Sequence, residues 1–153
     1  MKIKLDENAI MPTRAHEADA GLDLYAPEKV MIGGNKVFIS DSLGVCTDGV
    51  TIKGCIIDTG VHIELPPNTV GMIKSKSGLN IYNGLITEGV IDEGYTGSIK
   101  VKIYNLTEYK HQFNRGDKIA QLVILPIVKP ELELVDELAE TERGDNGFGS
   151  TGR

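Results

Sequence analysis

Alternation of apolar and polar residues dominates this chain. Val61-His62-Ile63-Glu64-Leu65 alternates strictly, which predicts a strand with one buried face. Ile99, Val101 and Ile103 alternate with Lys100 and Lys102 in the same way. Leu122 to Val128 is almost wholly apolar, which predicts a strand buried on both faces, and Leu132 to Leu138, with acids interleaved, predicts a less regular one. Turn formers separate these runs at short intervals: Gly33-Gly34-Asn35, Asp48-Gly49, Pro66-Pro67-Asn68, Asn83-Gly84 and Asn114-Arg115-Gly116-Asp117. Many short strands with frequent turns predict an all-β sandwich or barrel. Only Ser77 to Asn83 suits a short helix, with Ser75 or Ser77 near its N-cap. No repeat of fixed period is present.

The pattern stops at residue 139. Beyond it the only large apolar residue is Phe148, and glycine becomes frequent, so residues 1–138 are expected to form the β domain and 139–153 a flexible arm. Composition alone favours a disordered end over an arm that orders on a ligand.

Composition narrows the picture. The length of 153 residues suits one domain, and a chain without tryptophan must build its core from Ile, Val and Leu. A formal net charge of −6 speaks against a nonspecific grip on nucleic acid, while leaving room for a small anionic ligand held by a local positive cluster. Cys46 and Cys55, with no CxxC and no Cys/His cluster, argue against structural zinc. Their spacing permits a hairpin cross-link; two reduced, buried thiols are the favoured reading. The start, MKIKLDENAIMP, lacks the apolar run of a signal peptide, and no stretch is long enough to cross a bilayer. A soluble cytoplasmic protein without a membrane partner is expected.

Four internal stretches offer chemistry. In Ala20-Gly21-Leu22-Asp23-Leu24 the acid either faces solvent or is held inward to orient a cation's water shell. Lys74-Ser75-Lys76-Ser77-Gly78-Leu79-Asn80 places lysines, serines and a glycine before the helix, which suits phosphate as well as it suits a basic surface turn; GxxxxGK[ST] is absent. Gly89-Val90-Ile91-Asp92-Glu93-Gly94-Tyr95-Thr96-Gly97 ends an apolar strand on an acid, which is either an ordinary turn residue or a base aimed by rigid backbone. Arg115-Gly116-Asp117-Lys118-Ile119-Ala120-Gln121 leads into the most apolar strand, and Gln121 there needs a backbone or ligand-water partner.

These four stretches and the tail, in order, resemble the five motifs of the homotrimeric dUTPase family. AGLDL (20–24), GVIDEGYTG (89–97), RGDKIAQ (115–121) and RGDNGFGSTG (143–152) carry most of the likeness. The resemblance implies a jelly-roll-like β-barrel or sandwich and a homotrimer with active sites shared between chains. It implies Mg²⁺-assisted hydrolysis of dUTP to dUMP and pyrophosphate, which limits uracil in DNA and supplies dUMP for dTTP synthesis. By position it implies that Asp92 orients the attacking water, and that Tyr95 packs on the deoxyribose and excludes a 2′-OH. The backbone around Gly89, Val90 and Ile91 would read the uracil edge. Lys76, Ser77, Gly78, Lys100, Gln121 and Arg143 would meet the nucleotide, Phe148 would cover the base, and Gly149, Ser150 and Thr151 would wrap the phosphates. Asp23 and Gln121 would hold waters of the metal, with Mg²⁺ mainly on the substrate phosphates.

Two features depart from the family pattern. Lys76 stands where an arginine is usual, which keeps the charge and loses the bidentate fork. The stretch from about 30 to 55 is longer than usual and is expected to form an extra strand or hairpin. The related dCTP deaminases carry a glutamate at the position of Lys102, so deamination is disfavoured. A noncatalytic nucleotide-binding or regulatory module is the other alternative, and the presence of both Asp92 and Phe148 opposes it.

Overall fold

The structure is a computed structural model and describes residues 1–34 and 54–146. Ten strands and one helix follow in order: β1 (Lys2–Leu5), β2 (Gly21–Tyr25), β3 (Val30–Ile32), β4 (Gly54–Asp58), β5 (Val61–Glu64), β6 (Thr69–Lys74), α1 (Ser77–Asn83), β7 (Leu85–Ile91), β8 (Lys100–Asn105), β9 (His111–Phe113) and β10 (Lys118–Pro126). A six-stranded antiparallel sheet of order β2-β10-β6-β7-β8-β4 is the body, and the pairs β1-β5 and β3-β9 complete a curled, jelly-roll-like wrap.

The expected alternation is realised. Val61 and Ile63 point inward from β5, and Ile99, Val101 and Ile103 are essentially inaccessible, while Lys100 and Lys102 face out. The core is aliphatic apart from Phe113 among the described residues, as the scarcity of aromatics predicts. Asp58, exposed at the end of β4, accepts from Gly60 N (3.2 Å) and from the Ser98 hydroxyl.

Strand β7 joins the two halves of the sheet. Its first residues, Leu85 to Thr87, pair with Asn105 to Ile103 of β8, and its last, Glu88 to Ile91, pair with Lys74 to Gly71 of β6. Meanwhile β8 continues along β4, Lys100 opposite Asp58. The β7 and β8 strands therefore part after Thr87, and the β7 edge beyond it has no strand partner on that side among the described residues.

Helix α1 forms over the expected residues and ends at Gly84, whose φ of 59° and N–H bonds to Asn80 O and Leu79 O close it as a left-handed cap. Its start corrects the sequence expectation. The N-cap is Lys76, with no side-chain cap. Ser75 instead stands in for strand backbone: its Oγ accepts from Thr87 N (2.8 Å) and donates to Thr87 O (3.0 Å).

Two further expectations are corrected. The run from Leu122 to Val128 is buried only at its start: Leu125 is 46% and Val128 90% exposed. Leu132 to Leu138 forms no strand, and Leu132 and Leu134 are almost fully exposed. Beyond Pro126, where the pairing of β10 with β6 ends, no strand among the described residues lies against either segment. Cys55 is a half-buried free thiol on β4, pushed up in pKa by burial; Cys46 and most of the expected insertion lie outside the described residues. No helix among the described residues is long and apolar enough to cross a membrane.

Candidate active site

Two clusters form at separate places on the sheet. The first lies at the end of β7. Val90, Ile91, Asp92, Tyr95 and Lys100 line an open cavity of about 210 Å³, in the gap where β8 diverges from β7. The chain turns directly after Asp92: Tyr95 N donates to Asp92 O (3.1 Å), and Gly94 supplies a φ of 90° that side chains rarely adopt. Tyr95 donates from Oη to Ser98 O (3.0 Å), and its ring lies against Gly97, where an added Cβ would sit 2.5 Å from Oη. The glycines of Gly94-Tyr95-Thr96-Gly97 thus serve the turn and the seating of the ring. Glu93 accepts from Asn68 N (3.0 Å) and pairs with Lys129, so the turn is also held from outside. The Asp92 carboxylate stays exposed to the cavity side of this frame.

The second cluster is a row across the sheet. Register places Asp23 of β2, Gln121 of β10, Lys74 of β6 and Glu88 of β7 side by side. Asp23 is 3% exposed and held inward. Lys76 Nζ donates to its Oδ1 (2.5 Å) and Lys118 Nζ lies 2.6 Å from its Oδ2. Burial pushes the Asp23 carboxyl up, and the Lys118 and Lys76 contacts outweigh it and hold the pKa below the usual carboxylate value. Gln121 finds a backbone partner, Ser75 O at 3.0 Å. Ser77 and Gly78 are exposed at the start of α1 beside this row.

Lys118 was not a sequence candidate. A bulge between Lys118 and Ala120 sets Lys118 opposite Tyr25, one register position closer to Asp23 than a regular ladder would. Nothing in local periodicity signals that shift. We expect Asp23 to make stability sensitive to acid. A depressed carboxylate stabilises above its unfolded pKa, near 3.8, and that contribution is lost as pH falls through the folded value. Asp23→Asn should cost about 1–3 kcal/mol at pH 7, by loss of charge-assisted hydrogen bonds, and narrow the stability difference between pH 7 and pH 3. Denaturant unfolding at both pH values measures this; equal slopes with pH in parent and variant would refute it.

The two clusters do not meet in one chain. Asp92 lies four residues along β7 from Glu88, about 13 Å at the usual rise, and Asp23 lies three strands across from Glu88, about 14 Å at the usual spacing. Arg143 is exposed on the trailing segment, its Nε bound to Asn146 O (3.0 Å) and to neither cluster. Phe148, Gly149, Ser150 and Thr151 lie outside the described residues. Lys102, the position that would be acidic in a deaminase, is exposed and stands over the Tyr104 ring, 5.3 Å from its centroid.

Comparison with known proteins agrees with this geometry. The sequence profile of a family described as dUTPase matches residues 50–152. A deoxyuridine 5'-triphosphate nucleotidohydrolase of Clostridium kluyveri is 41% identical over 97% of this chain and 94% of its own length. One of Clostridium tetani is 43% identical over 100% and 97%. Among solved structures, a variant dUTPase of Staphylococcus bacteriophage 80alpha with dUpNHpp is similar with a TM-score of 0.78 and 30% identity, covering 99% of this chain and 98% of that one. A variant dUTPase of phage phi11 of S. aureus, described for its coordination of a structural Mg(II) ion, is similar with a TM-score of 0.72 and 30% identity, covering 91% and 98%.

Proposed function

The chain belongs to the dUTPase family and hydrolyses dUTP to dUMP and pyrophosphate, and from that premise we propose how its residues divide the work. The observation that carries the proposal is the gap between β7 and β8, because it puts an unpaired strand edge, an exposed carboxylate and an aromatic ring around one cavity.

Beyond Thr87 the outer edge of β7 offers main-chain N–H and C=O groups in alternation. Uracil presents an N–H between two carbonyl oxygens, so the edge at Gly89, Val90 and Ile91 complements it. Cytosine presents an amino donor and a bare ring nitrogen there, and leaves backbone groups unpaired. Tyr95, held by Ser98 O and Gly97, forms the wall against the sugar. Asp92 accepts a proton from the water that attacks the α-phosphorus; the bond to the bridging oxygen breaks and pyrophosphate leaves. Lys100, at the rim of the same cavity, supplies positive charge near the nucleotide.

The row of Asp23, Gln121, Lys76, Ser77 and Gly78 is proposed as the phosphate end, with Arg143 and the segment Phe148 to Thr151 closing over base and phosphates. Lys76 is tied to Asp23, so it acts on phosphate as half of an ion pair and not as a free cation. No group of three or more metal-ligating side chains occurs among the described residues. Asp23 and Gln121 are oxygen donors on neighbouring strands, a set that suits holding the water shell of Mg²⁺ bound mainly by the triphosphate. When bound, Mg²⁺ would supply charge neutralisation on the phosphates.

The separation of the two clusters supports a site completed by neighbouring copies, and a homotrimer is the assembly proposed. The exposed Val128, Leu132, Leu134 and Leu138 support it too, since a neighbouring chain would cover them. A cytoplasmic setting belongs to the same proposal, because the substrate is an intracellular nucleotide.

Pyrophosphate release across a nucleotide panel tests the reading of the base. With Mg²⁺ the protein should turn over dUTP, with kcat/KM for dCTP lower by about 10⁴-fold, as expected where buried hydrogen-bonding groups lose partners. For dTTP, which keeps the edge and adds a methyl, the loss should be at least about 10–200-fold. Equal turnover of the three would refute reading by the β7 edge.

A further inference from the structure

The turn that bears Asp92 and Tyr95 is fastened on its far side by a histidine. His62 of β5 places Nδ1 2.8 Å from Thr96 O and Nε2 3.2 Å from Asp6 Oδ2. Both partners are acceptors: a backbone carbonyl and a carboxylate. A neutral imidazole has one N–H and so satisfies one of them, leaving a lone pair aimed at the other oxygen. Only the imidazolium donates to both. We propose that His62, as the imidazolium, is a positioning residue that clamps the Asp92–Gly97 turn to the β1-β5 pair and makes catalysis depend on its protonation.

This rests on the reading of Asp92 and Tyr95 given above. Thr96 lies between Tyr95 and Gly97, so its carbonyl is the point at which the clamp reaches the catalytic turn. The side chain of Asp6 is about half exposed and Thr96 O is fixed in backbone. On deprotonation Asp6 is therefore the partner that swings to water, and the Thr96 bond remains as a weaker neutral one.

The charges around the ring are mixed. Asp6, directly after β1, favours the cation, and Lys4 of β1, itself 4.0 Å from Asp6, opposes it. Asp58, at the end of β4, also faces it. Lys2 and Glu64, on β1 and β5, are spent on each other at 3.0 Å. The Thr96 hydrogen bond, then the Asp6 hydrogen bond, raise the His62 pKa above 6.5. The sign follows: the clamp is complete below pH 6.5 and is lost as pH rises through the raised folded value.

The test is kcat/KM for dUTP with Mg²⁺ from pH 6 to pH 9 in the parent, His62→Asn, His62→Ala and Asp6→Asn. The parent should decline on the alkaline side. His62→Asn, whose Nδ2 can take the place of Nδ1 toward Thr96 O but has nothing to offer Asp6, should hold at every pH the reduced level that the parent reaches on the alkaline side and lose the decline, because its amide does not titrate in this range. Asp6→Asn should move the decline to lower pH while keeping the activity at pH 6. His62→Ala should lower kcat about tenfold at every pH, within the about 10²-fold that small misplacements can cost, and should weaken discrimination against UTP. NMR titration of the His62 ring reads the same midpoint without catalysis. A parent inactive on dUTP would overturn the family activity itself. An active parent whose alkaline limb is unchanged in His62→Asn and unmoved in Asp6→Asn, with a ring titration that ignores Asp6, overturns this inference alone.

Discussion

Replacing Asp92 by Asn is expected to lower kcat for dUTP by about 10²–10⁴-fold, the usual contribution of a positioned base, with KM changed little. The side chain keeps its shape and its exposed place after β7, so the turn closed by Tyr95 N and Asp92 O should survive. The amide cannot take the proton of the attacking water. Steady-state kinetics together with dUTP binding by calorimetry separate the two effects. Unchanged turnover would mean that another group holds the water; loss of binding in step with turnover would mean that Asp92 chiefly grips the sugar.

Deleting residues from Arg143 onward is the second large expected effect. Every residue from Val128 to Asn146 is exposed, and Arg143 bonds to Asn146 O within the same segment. The described part of the deleted segment adds nothing to the core, so the melting temperature and oligomeric state should stay as in the full chain. Turnover should fall by about 10²-fold or more, because the nucleotide loses the segment proposed to hold its phosphates and cover its base, and water enters the site. Light scattering, thermal melts and kinetics on one preparation decide it. If truncation unfolds the protein or disperses the oligomer, the segment is structural. If it changes nothing, neither Arg143 nor the residues after it serve the reaction.

Both expectations begin in short stretches of sequence, and much of the fold does as well. Val61 to Leu65 and Ile99 to Ile103 show their buried faces through strict alternation, because in a strand successive side chains point to opposite sides. The helix from Ser77 to Asn83 is bounded by turn formers, and its closing glycine is needed for a left-handed cap. The Gly94-Tyr95-Thr96-Gly97 turn is set by local chain geometry, so Asp92 at the end of a strand is legible from the order of residues alone.

Local pattern misleads where the partner is distant. Leu122 to Val128 has the composition of a buried strand and is exposed in its outer part, and Leu132 to Leu138, which reads as a weaker strand with acids interleaved, is exposed throughout. Periodicity reports that a residue suits burial; whether anything covers it depends on a surface elsewhere. Ser75 looks like a helix cap by spacing, yet its hydroxyl bonds to Thr87, because β6 and β7 lie side by side at that point.

By itself, then, the sequence determined the strand content, the aliphatic core, the turn that carries Asp92 and the likeness to the dUTPase family. These depend on short-range sterics and on residue order. Tertiary structure alone decided that β8 parts from β7 after Thr87, that a bulge brings Lys118 to Asp23, and that His62 lies between two acceptors from segments 34 and 56 residues away. Each of these depends on the register between strands remote in sequence, and register is settled by the packing of the whole sheet.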